Sequence, residues 1–233
     1  PVSADHGRVY HFDHLNEKLF SLPETDEEDS SAEIEEMDGY VQANDFTSAL
    51  NLSDEILENG QMGLEDFLRM AFYRIDSLKG LRKYDQAVTE ADVMRQLILN
   101  LTNDTGSEAY IRVFYRYATA FSDAGRIEEA LSDVEELCHF WNDRKPEAAY
   151  AYQIIEAALR YDNGDYEDAV SLAREAYMWF DANEGICEQS ESCLHILRQA
   201  YASANDYTAC LGVDYLLHQR AMETCGEKDQ EPL

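Results

Sequence analysis

Apolar residues recur along this chain at helical spacing. In residues 108–122 they include Ile111, Phe114, Tyr117, Ala118 and Phe121, the i, i+3, i+4, i+7 stripe of a helix with one buried face. Strand-like alternation is confined to Arg8-Val9-Tyr10-His11-Phe12. Breakers are scarce, with 11 glycines and 4 prolines. Pro23, Pro146 and Pro232 fall near segment edges. The pattern predicts an all-α chain.

A short motif returns five times. It reads Asn44-Asp45-Phe46-Thr47-Ser48-Ala49, then Arg82-Lys83-Tyr84-Asp85-Gln86-Ala87, Gly125-Arg126-Ile127-Glu128-Glu129-Ala130, Gly164-Asp165-Tyr166-Glu167-Asp168-Ala169 and Asn205-Asp206-Tyr207-Thr208-Ala209-Cys210. The anchors Phe46, Tyr84, Ile127, Tyr166 and Tyr207 lie 38, 43, 39 and 41 residues apart, a repeat near 40. Asn44, Gly125, Gly164 and Asn205 suit the positive φ that ends a helix. The anchor closes a turn between antiparallel helices, and the small residue three later lets the second helix approach closely. Seven residues further, Ile56, Met94, Leu137, Ala176 and Leu217 share that face. Leu97, Phe140 and Trp179 are expected to pack on the next unit.

These segments resemble the tetratricopeptide repeat (TPR) superfamily. Gly164–Ala169 matches its turn motif, and Phe114, Tyr117, Ala118 and Phe121 match its first-helix pattern. The resemblance spans roughly 32–221 and implies an α-α superhelix, or solenoid, of about five hairpins. The period exceeds the usual length of about 34. It is more similar to the longer repeats of kinesin light chains and of bacterial regulatory TPR domains. That length predicts extended loops at Asn100–Ser107 and Asp181–Glu188. Residues 1–31 are read as an acidic N-terminal arm, flexible or docked through Val9, Tyr10, Phe12, Leu15, Leu19 and Phe20. Residues 222–233 are read as a polar tail.

Charge narrows the functional classes. The 233 residues carry 48 acidic and 18 basic side chains, a net charge of −30. Such a field argues against direct binding of nucleic acid or of an anionic membrane surface, both of which select clustered Lys and Arg. No run approaches the roughly 18 apolar residues that span a bilayer, and no signal peptide is visible. Five cysteines, none in a CxxC pair, read as free thiols of a cytoplasmic protein, with Cys210 a buried structural thiol.

Candidate chemistry is sparse. Gly-rich phosphate loops and the HExxH, GxSxG and CxxC motifs are all missing, so the chain reads as non-catalytic and without a cofactor. His6, His11 and His14, with Asp5 and Asp13, match no metal-site spacing, and the run Glu24–Asp29 lacks the alternating ligands of a calcium loop. No metal site is assigned.

A binding surface is the stronger reading. In a hairpin solenoid the first helices line the concave groove. Units two and three there present Arg69, Phe72, Tyr73, Arg112, Tyr115 and Arg116. Arg112 and Arg116 are four apart and share a helix side. Guanidinium groups clamp carboxylates, and tyrosines add area at low entropy cost. The resemblance implies the same use, since TPR grooves hold peptide segments. The competing reading is that these arginines neutralise nearby Asp and Glu between helices. Residues 19–68 hold 15 acidic side chains and no basic one, a second surface suited to a basic partner. The expected function is a non-catalytic scaffold or adaptor that binds a protein or peptide. The alternatives are the ligand-sensing domain of a bacterial regulator and an acidic inhibitor that mimics another partner of a basic site. Homodimerisation through an end unit is left open.

Overall fold

The computed structural model describes residues 31–59 and 63–228. The N-terminal arm, its histidines and its acidic run therefore lie outside the described residues. Ten helices and no strand occur among the described residues. They are α1 (Ser31–Gln42), α2 (Phe46–Asn59), α3 (Leu64–Gly80), α4 (Tyr84–Thr102), α5 (Glu108–Asp123), α6 (Ile127–Trp141), α7 (Pro146–Asn163), α8 (Tyr166–Asn183), α9 (Glu188–Ser203) and α10 (Tyr207–Lys228). The five anchors are the first residues of α2, α4, α6, α8 and α10. Pro146 occupies the first turn of α7, where its missing N–H leaves nothing unsatisfied.

Each motif turn is built alike. Asn44, Arg82, Gly125, Gly164 and Asn205 all have left-handed backbones, with φ of 58°, 58°, 72°, 88° and 60°. The residue after each donates its N–H back to the last turn of the preceding helix. Asp45 reaches the Tyr40 carbonyl at 2.8 Å, Lys83 reaches Leu78 at 2.8 Å, and Arg126 reaches Phe121 at 2.9 Å. Asp165 reaches Arg160 at 2.8 Å and Asp206 reaches Tyr201 at 2.9 Å. This is the Schellman closure, and it satisfies carbonyls that the helix end would leave unpaired. Asp45 and Asp206 also accept N–H bonds from Ser48 and Ala209, starting the next helix.

Arg82 is the exception among these residues, because a long side chain gains nothing from the left-handed region. Its backbone strain of about 1–2 kcal/mol exceeds the entropy cost of glycine, about 0.5–1 kcal/mol. Arg82→Gly is therefore expected to raise stability by up to about 1 kcal/mol, measured as a higher urea midpoint at unchanged slope. A lower midpoint would refute this.

The described residues form two compact units dividing at Arg126/Ile127. In the first, α1, α3 and α5 pack side by side, while α2 and α4 pack between them as the returning helices. Ala49 and Ala87 are fully buried, as a close helix approach requires. Gly80 serves the same purpose differently, since a Cβ there would meet the Phe46 ring at 2.3 Å. In the second unit, α6 through α10 pack in chain order. Ala157, Ala173, Leu194, Leu197 and Val213 form one core cluster there, and Ile154, Ala176, Phe180 and Cys193 another.

Several details differ from expectation. The loops are short, because α4 runs to Thr102 and α8 to Asn183; the extra residues of the long period lie in helices. Helix α10 runs to Lys228, beyond the 32–221 span. Phe140 is 45% exposed, edge-on to Trp141 and under the Arg144 guanidinium at 4.1 Å, so it does not serve as core. Cys210 is only half-buried, while Cys193 is buried. Burial, then the neighbouring Cys187, pushes the Cys193 thiol up to about 12, which keeps it protonated and unreactive at neutral pH.

Candidate functional site

The six sequence-selected residues lie on α3 and α5, which are neighbours in the first unit. Helix α5 points Tyr110, Val113, Phe114, Tyr117, Ala118 and Phe121 inward. The 3.6-residue period then turns Arg112, Tyr115 and Arg116 outward. Helix α3 buries Phe72 and leaves Arg69 and Tyr73 partly exposed. Tyr115 is 42% exposed, the most open aromatic ring of the set.

The arginines are held between the helices. Arg112 donates from both terminal nitrogens to the Glu65 carboxylate, at 2.9 and 3.0 Å. Arg116 donates to both oxygens of Asp76, at 2.8 and 3.1 Å. Arg69 pairs within its own helix with Asp66 at 3.6 Å. The two guanidinium carbons of α5 stand 5.7 and 5.2 Å from the Phe72 ring centroid, so one ring supports both cations. Arg116 also stands 5.9 Å from the Tyr115 ring. The hydrogen bonds from Arg112 hold the Glu65 carboxyl below its ordinary range, against the opposing effect of partial burial. Further along, Lys79 meets Asp123 at 2.9 Å and donates to Thr119 at 3.2 Å. Glu65–Arg112, Asp76–Arg116 and Lys79–Asp123 thus form a ladder tying α3 to α5.

Sequence reasoning placed the cations and aromatics together and left their carboxylate partners unnamed. Glu65, Asp76 and Asp123 are three among 48 acidic residues. Only the relative rotation of two helices separates them from the rest.

Sequence reasoning also missed Arg74, which is 3% exposed. It donates to Glu90 through Nε at 2.7 Å and Nη2 at 3.1 Å, and through Nη1 to Ser53 and Asp54 at 2.6 Å each. One residue therefore joins α2, α3 and α4. Two carboxylates share this single cation. Burial pushes the Glu90 carboxyl up, and Arg74 pulls against it. Leu57, Phe67, Met70, Ala71, Ile75 and Met94 complete the lining of a cavity of about 20 Å³ beside the pair, room for one water. In the second unit Arg220, 6% exposed, donates to Ser190 at 2.7 Å, to Tyr177 at 3.2 Å and to Asp181. The motif spacing carries no signal for either network.

No group of three or more His, Cys, Asp or Glu among the described residues is arranged to hold a metal ion. No helix among them is long and apolar enough to cross a membrane.

Neither a family model nor a curated protein matches the sequence. Among solved structures, the chain is similar to the crystal structure of nearly identical TPR-like repeats from a Podosopora anserina protein described as a kinesin light chain. The TM-score is 0.53 and the identity 16%, over 87% of this chain and 97% of that one. That likeness bears on architecture alone. Ten helices among the described residues, with the same turn recurring five times between them, together with this neighbour establish an all-α, TPR-like helical-repeat fold.

Proposed function

We propose that the chain is a non-catalytic protein-interaction scaffold that holds a peptide segment of a partner against the α3–α5 face. A TPR-like fold generally mediates protein–protein interaction. One observation carries the choice of face. Helix α3 has three acidic and three basic residues, and α5 has two of each, so both are neutral in a chain of net charge −30. Arg69, Phe72, Tyr73, Arg112, Tyr115 and Arg116 thus lie on a charge-balanced surface of arginines and aromatic rings, where a peptide meets little of the repulsion present elsewhere. Tyr115 supplies exposed apolar area. Arg112 and Arg116, pre-aimed by Glu65 and Asp76, supply charge-assisted donors to a peptide carboxylate or backbone carbonyl.

A charge-assisted hydrogen bond contributes about 1.5–3 kcal/mol, which corresponds to a ten- to hundred-fold change in affinity. The triple variant Tyr115→Ala/Arg112→Gln/Arg116→Gln is therefore expected to bind acid-containing peptides selected against the wild type at least ten-fold more weakly. Fluorescence anisotropy would measure the affinity, with circular dichroism confirming an unchanged helix content. Equal affinity of folded variant and wild type would reject the α3–α5 face.

A further inference from the structure

Helix α10 carries an apolar stripe with no cover among the described residues. Tyr207, Leu211, Tyr215 and Met222 are 64%, 68%, 62% and 64% exposed. At 3.6 residues per turn they fall, with exposed His218, within one strip along the helix. No Asp, Glu, Lys or Arg interrupts it. The tyrosine hydroxyls are engaged locally, Tyr207 donating to Asn205 and Tyr215 accepting from Gln219.

The repeat shows what such a strip is for. The positions 41 residues earlier, one period from Tyr207 back to Tyr166, lie on α8. The counterparts of Leu211, Tyr215, His218 and Met222 are Val170, Arg174, Tyr177 and Asp181. Arg174, Tyr177 and Asp181 bond directly to the following hairpin, α9 and α10, and Val170 packs on the core that this hairpin shares with α7 and α8. Val170 and Tyr177 pack on the cluster containing Leu194, Leu197 and Val213. Arg174 donates to the Tyr201 hydroxyl, and Tyr177 and Asp181 both accept from Arg220. On α8 this strip is the stacking surface for the next helices. On α10 it is more apolar, since Tyr and Met replace Arg and Asp. A face of a repeat array left open to water is expected to be polar, and this face of α10 presents the opposite.

We propose that a second copy of this chain covers the stripe, α10 packing antiparallel on α10 about a two-fold axis near Tyr215. A straight strip on one helix is self-complementary under such an axis, which sets Tyr207 opposite the partner helix's Met222 position and Leu211 opposite its His218 position. Area sets the size class of the interface. Large side chains offer roughly 150–250 Å² each, so four of them near two-thirds exposed give on the order of 500 Å² per copy. The total of about 1,000 Å² sits at the lower bound of specific interfaces. An interface of that size falls in the weak, transient class. Two chains of −30 repel one another, so salt strengthens the pairing by screening that repulsion.

The test is sedimentation velocity on the full chain from about 1 to 200 µM, at 0.15 and 0.5 M NaCl. Expected is a monomer–dimer equilibrium, tighter at high salt and weakened at least ten-fold by Leu211→Glu or Tyr215→Ser. Both substitutions fall on exposed positions, and circular dichroism checks that the helices persist. A monomer throughout the range would overturn the proposal, as would a dimer indifferent to both substitutions. Loss of the dimer on deleting residues 1–30 would also overturn it, by naming the arm as the occupant.

Discussion

Replacing Arg74 with methionine is expected to destabilise the protein by about 3–5 kcal/mol, the range found when one partner of a buried ion pair is removed. Methionine nearly fills the volume, so the loss is electrostatic. It leaves Glu90, 4% exposed, without the two N–H groups that solvate it, and it leaves the Ser53 hydroxyl without a donor. Asp54 is less affected, because its side chain is 19% exposed and reaches water. The pH dependence follows from the sign of the shift. The Glu90 carboxyl is raised by burial even with Arg74 present. Between the ordinary carboxylate range and that raised value, the folded protein binds more protons than the unfolded one. Stability therefore falls as pH rises through the window. Without Arg74 the window extends to higher pH, so Arg74→Met should recover part of its loss between pH 8 and pH 5. The double variant Arg74→Met/Glu90→Leu removes both charges and should return to within about 1–2 kcal/mol of the wild type, since apolar replacement of a whole buried pair is often neutral or stabilising. Urea unfolding at both pH values measures all three. A single variant within about 1 kcal/mol of the wild type, or a loss equal at both pH values, would refute the account.

What the sequence disclosed, and what it withheld, follows from the range of each interaction. The turns were legible because a Schellman closure is set by six consecutive residues. Asn44, Gly125, Gly164 and Asn205 announce a positive φ by type, and their five-fold return removed the ambiguity of any single motif. Arg82 shares their place in the motif but was not read as left-handed, because its residue type argues against the conformation it adopts. The α5 stripe was legible as a face, although Tyr110 and Val113 are buried where Ile111 was expected. The loops were misjudged because a longer period fixes the number of residues per unit and not their division between helix and loop. The ion-pair partners were opaque for another reason. Arg112 and Glu65 are 47 residues apart, and Arg74 and Glu90 are 16 apart. In a chain with 48 carboxylates, composition cannot say which of them a given arginine meets.

Phe114→Ala is expected to cost about 3–5 kcal/mol, the usual range for removing a buried phenyl ring. Phe114 is fully buried, with ring centroids 6.3 Å from Tyr110 and 5.5 Å from Tyr117, and Tyr117 continues to Phe121 at 4.4 Å. These four rings run the length of α5 on its inner side. Alanine leaves a hole in mid-row that stiff neighbouring rings fill poorly, so the cavity term adds to the lost transfer energy. Phe114→Leu keeps most of the volume and should cost under about 1.5 kcal/mol. The pair separates core from surface on one helix. The inward row fixes the rotation of α5, and that rotation aims Arg112 at Glu65 and Arg116 at Asp76. The leucine variant keeps the row filled, so peptide affinity at the α3–α5 face should stay within about two-fold of the wild type. Chemical denaturation followed by circular dichroism gives the stabilities, and anisotropy gives the affinity. An alanine variant less than about 1 kcal/mol from the wild type would show that the ring row does not set α5. A leucine variant that stays stable yet loses the peptide would show that Phe114 itself belongs to the binding surface.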